Sequence, residues 1–343
     1  MRVLWSGVDT MEVSFRGHIF EALGDCLDEV KGFAQDANHP QRFRGFDDPF
    51  VMSPSGLKPW RWLIISEDMQ LRLSNARNVP PASVRLSSLG LAFYGVEGLY
   101  RIAEEHVSDL GYLKPSGVSR LDLFADVQGF EPDAGVMEGI ACPAVYRGTH
   151  AAGASIQTFQ YGKGEIVARV YNKTAEIVTS GKSWLRGVWA SCEGYDPEVD
   201  VWRVEFQLRR DFLKTSIGCD TDTVLARRGD LWLSGLKWCE LRIPKGENKT
   251  RWPVHPAWEM LAALEPGSRP HPRIKALSYV ESFESVIPQV AGLLVSACSA
   301  VGMHNLESAL EEMSHCVRGY IEDSGEPFPD RVRRRTLRRL ATR

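Results

Sequence analysis

The 343 residues carry 41 Lys and Arg against 44 Asp and Glu, a formal net charge of -3, and 43% of them are apolar. That makeup is ordinary for a soluble globular chain of one large or two smaller domains. No apolar run of about 18 or more residues occurs and Met1-Arg2-Val3-Leu4-Trp5 lacks the form of a leader, so the expectation is a cytoplasmic protein, neither secreted nor membrane-spanning.

Val8 to Phe15 alternates as a strand, and Phe20, Leu23, Cys26 and Leu27 recur at helical spacing, predicting a helix from about His18 to Phe33. Asn38 to Lys58, rich in Pro, Asp, Arg and Gly, reads as a long loop. Trp60 to Ser66 and Met69 to Ser74 read as a tight hairpin, Ser83 to Ser87 as a third strand, and Leu89 to Val107 as a helix. The same order then returns. A strand at Val118 to Val127 is followed by a helix near Asp133 to Ile140, strands at Ser155 to Tyr161, Glu165 to Asn172 and Val201 to Arg209, and a helix opening near Asp222. Strand, helix, hairpin, strand, helix occurs twice, so the fold expected is α+β, a largely antiparallel sheet with flanking helices, read as an internal duplication. The boundaries expected are 1-110 for the N-terminal half, 111-265 for a catalytic half, 266-325 for a C-terminal helical segment and 326-343 for a basic tail.

Several further segments stand out. Trp252-Pro253-Val254-His255-Pro256-Ala257-Trp258 reads as a Pro-punctuated packing clamp. Val280 to Met303 is apolar enough for one or two buried helices interrupted at Pro288. The insert from Gly181 to Asp200, with Trp184, Arg186 and Trp189, reads as a folded surface lobe, the alternative being stacking on single-stranded bases. The seven cysteines are scattered without a C-x-x-C pair, which reads as reduced thiols. Seven arginines fall in Arg331 to Arg343, leaving 34 basic against 44 acidic residues elsewhere. Any contact with a polyanion is therefore local, through a patch or this tail, where Arg334 and Arg335 are the candidates.

The chemistry concentrates in three strands. Arg120, Asp122 and Asp126 share one face; so do Arg169, Tyr171 and Lys173, with Glu176 one helical turn further; so do Arg203, Glu205, Gln207 and Arg209. Side by side, Asp122, Asp126 and Glu205 would offer the carboxylate oxygens that Mg²⁺ or Mn²⁺ prefers. Tyr171 would be a nucleophile needing a base or a cation beside it, since a phenol titrates near pH ~10. Arg169 and Lys173 would hold the phosphate, and Glu176 would ligate metal or accept a proton. Each acid also has a plainer account as half of a structural ion pair, and Tyr171 as a packing residue.

Arg-x-Asp-x-x-x-Asp, then Arg-x-Tyr-Asn-Lys-x-x-Glu, then Trp-Arg-x-Glu and a Trp-Pro segment resemble the replication initiation factor (Rep-trans) family of rolling-circle plasmids, filamentous phages and integrative elements, over roughly residues 80 to 260. The resemblance implies an enzyme that cuts one strand at an origin, holds the 5′ phosphate on a tyrosine and leaves a 3′ hydroxyl. It assigns Tyr171 as nucleophile, Arg169 and Lys173 as phosphate contacts, Glu176 with the acids Asp122, Asp126 and Glu205 to metal and acid-base work, with Mg²⁺ or Mn²⁺ as cofactor. Arg120, Arg203 and Arg209 are the DNA contacts expected on the strands. The partners it implies are double- and single-stranded origin DNA, a host helicase and a polymerase, in the cytoplasm of a bacterial host, with no membrane and room for a homodimer. No His-hydrophobic-His triplet and no P-loop occurs, which disfavours the histidine class of nickases and places unwinding elsewhere. A relaxase with the same chemistry, a hydrolytic nuclease in which Tyr171 positions water, and a non-catalytic DNA-binding protein are the alternatives.

Overall fold

Residues 1–46, 50–153, 155–248, 251–266, 286–332 and 335 are described by a computed structural model. The first half runs β1 (Arg2–Ile19), α1 (Glu21–Asp36), β2 (Gln41–Phe43), β3 (Phe50–Met52), β4 (Trp62–Ile65), β5 (Met69–Leu73), β6 (Ala82–Leu86), α2 (Ser88–Tyr94) and α3 (Val96–Ser108). The second runs β7 (Gly111–Gln128), α4 (Ala134–Met137), β8 (Ile140–Ala141), β9 (Arg147–Ala152), β10 (Ser155–Tyr161), β11 (Ile166–Asn172), α5 (Lys173–Ser180), α6 (Trp184–Ala190), β12 (Val201–Arg209) and α7 (Arg210–Ser216). After these come α8 (Thr221–Ala226), α9 (Arg228–Trp238), β13 (Glu240–Leu241), α10 (Pro256–Ala262), α11 (Ile287–Val301) and α12 (Leu306–Asp323).

Eleven strands form one antiparallel sheet in the order β2-β3-β4-β5-β6-β1-β7-β12-β11-β10-β9. At its centre the two longest strands, β1 and β7, pair along their whole length from Arg2 with Gln128 to Ile19 with Gly111. In each half the last strand of the sheet returns to the long one, β6 to β1 and β12 to β7, and the preceding strands follow outward in reverse order. The two halves therefore share a topology, as the repeated order of elements in the sequence leads one to expect.

Alternation puts Met11, Val13 and Phe15 of β1, Leu121, Leu123 and Ala125 of β7, and Val204, Phe206 and Leu208 of β12 into one apolar face. Leu27 of α1, Leu99 and Ala103 of α3, Trp232 and Leu236 of α9 and Trp258 of α10 belong to the same core. Trp232 meets Phe206 edge to face at 5.3 Å and donates its indole N–H to the Leu261 carbonyl at 2.8 Å. Gly235 lets α9 approach so closely because a Cβ there would stand 2.7 Å from the Phe206 ring. The tryptophan clamp packs as its prolines suggest: Trp258 donates to the Cys239 carbonyl at 2.8 Å, and His255 caps α10 with Pro256 in its first turn.

Four expectations shift. The first strand runs on to Ile19, so α1 starts at Glu21, because the pairing with β7 carries extended backbone past the residues that looked helical. The long loop contains β2 and β3, whose short runs the flanking Pro and Asp obscure. The helix expected over Leu89 to Val107 breaks into α2 and α3 at Gly95, where φ is 75°. Most of the Val280 to Met303 segment that is described is α11, with Pro288 in its first turn; there Leu294 is buried while Val290, Leu293 and Val295 are exposed. Apolar character shows that a surface prefers burial, not what meets it. Among the described residues no single helix is long and apolar enough to cross a membrane.

Candidate active site on the polar face of the sheet

Side chains alternate along a strand, so each cross-strand row offers its members to one face. Opposite the apolar core the rows are polar. One reads His150, Thr158, Tyr171, Arg203 and Asp126 across β9, β10, β11, β12 and β7, and the next reads Gly148, Gln160, Arg169, Glu205 and Phe124. Then come Val167, Gln207, Asp122 and Thr10, followed by Arg209, Arg120, Glu12, Arg85 and Gln70, the last row passing through β1 into the first half.

Tyr171 sits where β11 gives way to α5. Asn172 ends the strand, its side chain capping α5 through the Ala175 N–H at 2.9 Å and donating to Asp200 at 2.6 Å. The half-buried Tyr171 donates its hydroxyl hydrogen to Glu205 Oε2 at 2.9 Å. The other oxygen of Glu205 takes Arg169 Nη1 at 3.1 Å, and Arg169 is steadied by Gln207 at 3.3 Å and Gln160 at 3.2 Å. A hydroxyl, a carboxylate that can receive its proton and a cation that orients the carboxylate are thus in contact.

Beneath them lies a buried charge network. Arg203 has no exposed side-chain surface; it grips Asp126 at 2.6 and 2.9 Å, reaches Asp9 at 2.6 Å and lies 3.8 Å over the Phe124 ring. Asp126 also accepts the Trp189 indole N–H at 3.0 Å, which joins α6 to the sheet floor. Asp9 is available to Arg203 because the β1–β7 register shifts between Val8 and Thr10, the signature of a bulge that re-aims a side chain. Lys173, buried, pairs with Glu176 at 2.5 Å and stands 5.4 Å from the centre of the Tyr171 ring.

These surroundings displace the titrations. Burial, then the charge of Glu205, holds the Tyr171 hydroxyl well above its ordinary range, so it stays protonated until a base removes its hydrogen. Burial, then Arg203, depresses Lys173. Asp122 is pushed up to about 7, first by burial and then by Glu205, against the pull of Arg120. Burial opposes the ionisation of Asp9, yet Lys182, Arg203 and Lys173 outweigh it and hold this acid well below the carboxylate range.

Of the residues singled out by sequence, Tyr171, Arg169 and Glu205 come together, Lys173 and Glu176 pair beneath them, and Asp122 lies diagonally from Glu205, gripped by Arg120 at 2.5 Å. Arg203 pairs with Asp126 rather than with Glu205, its neighbour along the strand. Arg209 is exposed directly opposite Arg120. Arg335 is exposed, and Arg334 lies outside the described residues. Trp184 and Trp189 are buried with Leu4, Ile177 and Val188, so the insert folds onto the sheet and does not present these rings to bases. Sequence reasoning missed Asp9, Glu12 and Arg85. The signal was there for one of them, since Thr10, Glu12 and Ser14 alternate with Met11, Val13 and Phe15.

A resident Mg²⁺ or Mn²⁺ at Asp122, Asp126 and Glu205 does not fit this arrangement. Both Asp126 oxygens are taken by Arg203 and Trp189 in a fully buried position, both Asp122 oxygens by Arg120, and those of Glu205 by Arg169 and Tyr171. Among the described residues no group of three or more His, Cys, Asp or Glu side chains could hold a metal ion. Guanidinium groups compensate the acids.

No family model and no curated protein sequence matches the chain. In structure it is similar to a rolling circle replication initiator protein from Geobacillus stearothermophilus, with a TM-score of 0.45 and 16% identity over 75% of this chain and 95% of that one.

Proposed function

We propose that the chain is a DNA nicking and joining enzyme of the replication-initiator type, with Tyr171 as nucleophile. The observation that carries this reading is the hydrogen bond from Tyr171 to Glu205, whose other oxygen is held by Arg169. As the Tyr171 oxygen attacks phosphorus, its proton passes to Glu205, a new P–O bond joins protein to the 5′ side of the cut, and the bond to the 3′ oxygen breaks. Asp122, still partly protonated near neutral pH, is the proton store beside Glu205 from which the departing 3′ oxygen is neutralised. Arg169 offsets the charge gathering on the phosphate oxygens. Reversal, with a 3′ hydroxyl attacking the phosphotyrosine, rejoins the strand.

The strand itself would lie along the row Arg209, Arg120, Glu12, Arg85. Arg209, exposed, is paired with Arg120 in the ladder, and a phosphate bound there would meet both side chains. The test is incubation of the protein with supercoiled origin DNA: a covalent adduct lost in Tyr171→Phe supports the proposal, and an adduct undiminished in that variant refutes the nucleophile.

One observation favours a second reading, a DNA-binding protein without catalysis. Asp126 with Arg203 is a complete, buried ion pair in which the acid is already compensated. DNA binding without nicking or adduct under any metal condition would select it.

A further inference from the structure

We propose that Cys142 and Cys239 form a modification site, in which Cys142 attacks a small-molecule disulfide of the glutathione class and Cys239 closes a reversible protein disulfide. The two-stranded ribbon of β8 and β13 sets the geometry. Its register pairs Ile140 with Leu241 and Ala141 with Glu240, so one step further Cys142 stands opposite Cys239. The Arg242 N–H donates to the Gly139 carbonyl at 3.0 Å, which makes those two a hydrogen-bonded pair. Counting along the alternation, Cys142 and Cys239 fall at a non-hydrogen-bonded position, where facing Cα atoms approach to about 4.5 Å. That spacing lies inside the range a disulfide spans. Both side chains point to the side taken by Ile140 and Leu241, which are fully buried.

The two thiols differ as an attacking and a resolving cysteine must. Cys142 is half-buried and reachable, whereas Cys239 is 1% exposed. A hydrogen bond from Cys239, supported by the Ala144 backbone and the Arg147 charge against the cost of burial, lowers Cys142 to about 7, while Cys239 is driven well above the ordinary thiol value. No other part of the proposed nicking chemistry uses either group.

The step balances. Cys142 loses its proton and its thiolate attacks one sulfur of the external disulfide, forming a mixed disulfide and expelling one thiolate. Cys239 then loses its proton and attacks the Cys142 sulfur, forming the protein disulfide and expelling the second. The expelled thiolates take up the two protons, so two protein thiols are oxidised and one external disulfide is reduced to two thiols. The bridge would tie the C-terminal end of α9 to the start of the β9–β10 hairpin. Cys239 also holds Trp258 through its carbonyl at 2.8 Å, so the clamp is drawn into the same tether.

The experiment treats the full reduced chain with oxidised glutathione, then maps the tryptic peptides by mass spectrometry with and without a reductant. The expected result is a Cys142–Cys239 cross-link that reductant removes, a glutathione adduct trapped on Cys142 in Cys239→Ser, and neither product in Cys142→Ser. Alkylation of Cys142 in the native wild type should reach half its plateau rate near pH 7, a reading that needs no variant to fold. A stable glutathione adduct on Cys142 in the wild type without cross-link, or cross-links only among Cys26, Cys298 and Cys316, would overturn the proposal.

Discussion

Tyr171 hydrogen-bonds Glu205 and not Arg203, although Arg203 is the residue directly opposite it in the β11–β12 ladder. The phenol leans diagonally to the carboxylate because Arg203 is committed downward to Asp126 and Asp9. The buried network thereby selects the partner of the candidate nucleophile.

The first expectation concerns that contact. Glu205→Gln keeps the size and loses the base, so nicking should slow by roughly 10²–10⁴-fold while DNA affinity holds. Single-turnover nicking alongside a binding titration checks it. Equal losses in both would mean that Glu205 serves binding.

Removing Arg203 strands Asp126 in the interior, while Asp9 keeps Lys182. Arg203→Met should cost about 3–5 kcal/mol in urea unfolding because Asp126 keeps a buried, uncompensated charge. Pairing it with Asp126→Leu should recover part of the loss, and a double variant no more stable than the single would contradict the account.

Stability should depend on pH through Asp122. Its pKa is raised from 3.8 to about 7 in the folded state, so between those values the native chain holds a proton that the unfolded chain has released. That contribution is complete below pH 3.8 and is lost as pH rises through about 7. The stability of wild type minus that of Asp122→Asn should therefore fall across this window; a flat difference would show an unshifted group.

Divalent metal should find no stoichiometric site in the free protein while the arginines hold the acids. Paramagnetic resonance of added Mn²⁺ should show free ion with wild type. Arg120→Ala, which uncovers Asp122 beside Glu205, should retain more Mn²⁺. Tight binding by the wild type would show that Arg120 and Arg169 yield readily.

Charge removal along the row crossing β1 should weaken DNA binding without touching the nucleophile. Arg85→Ala and Arg209→Ala should each lower the slope of log affinity against log salt by about 1. Of the two, Arg85 is the sharper test, since it belongs to the half without the tyrosine.

Period-two alternation made β7, β11 and β12 legible, with Asp122, Tyr171 and Glu205 on their polar sides, and the repeated order of elements foreshadowed the shared topology. Which cation serves which acid was not legible, because it depends on register. Arg203 and Glu205 are neighbours in the chain, yet the ladder sends Arg203 to Asp126 and brings Arg169 to Glu205. Asp9 was hidden for a related reason: only the β1–β7 bulge turns it towards Arg203. The exposure of α11 eluded composition, which records how apolar a segment is and nothing of its neighbours.

The central ladder also sets a timetable for synthesis. β1 leaves the ribosome before β7, and its pairing can begin at Ile19 only when Gly111 has emerged and be completed at Arg2 only when Gln128 has, so an eighteen-residue strand waits with one edge unpaired while about a hundred residues are added. β6 can shelter the other edge meanwhile, but only over Met11 to Phe15. The stretch from Arg2 to Thr10 is the part of β1 that waits longest without either neighbour, and slowing translation between Ser108 and Gln128 should lower the yield of folded protein more than the same pause placed after Arg209.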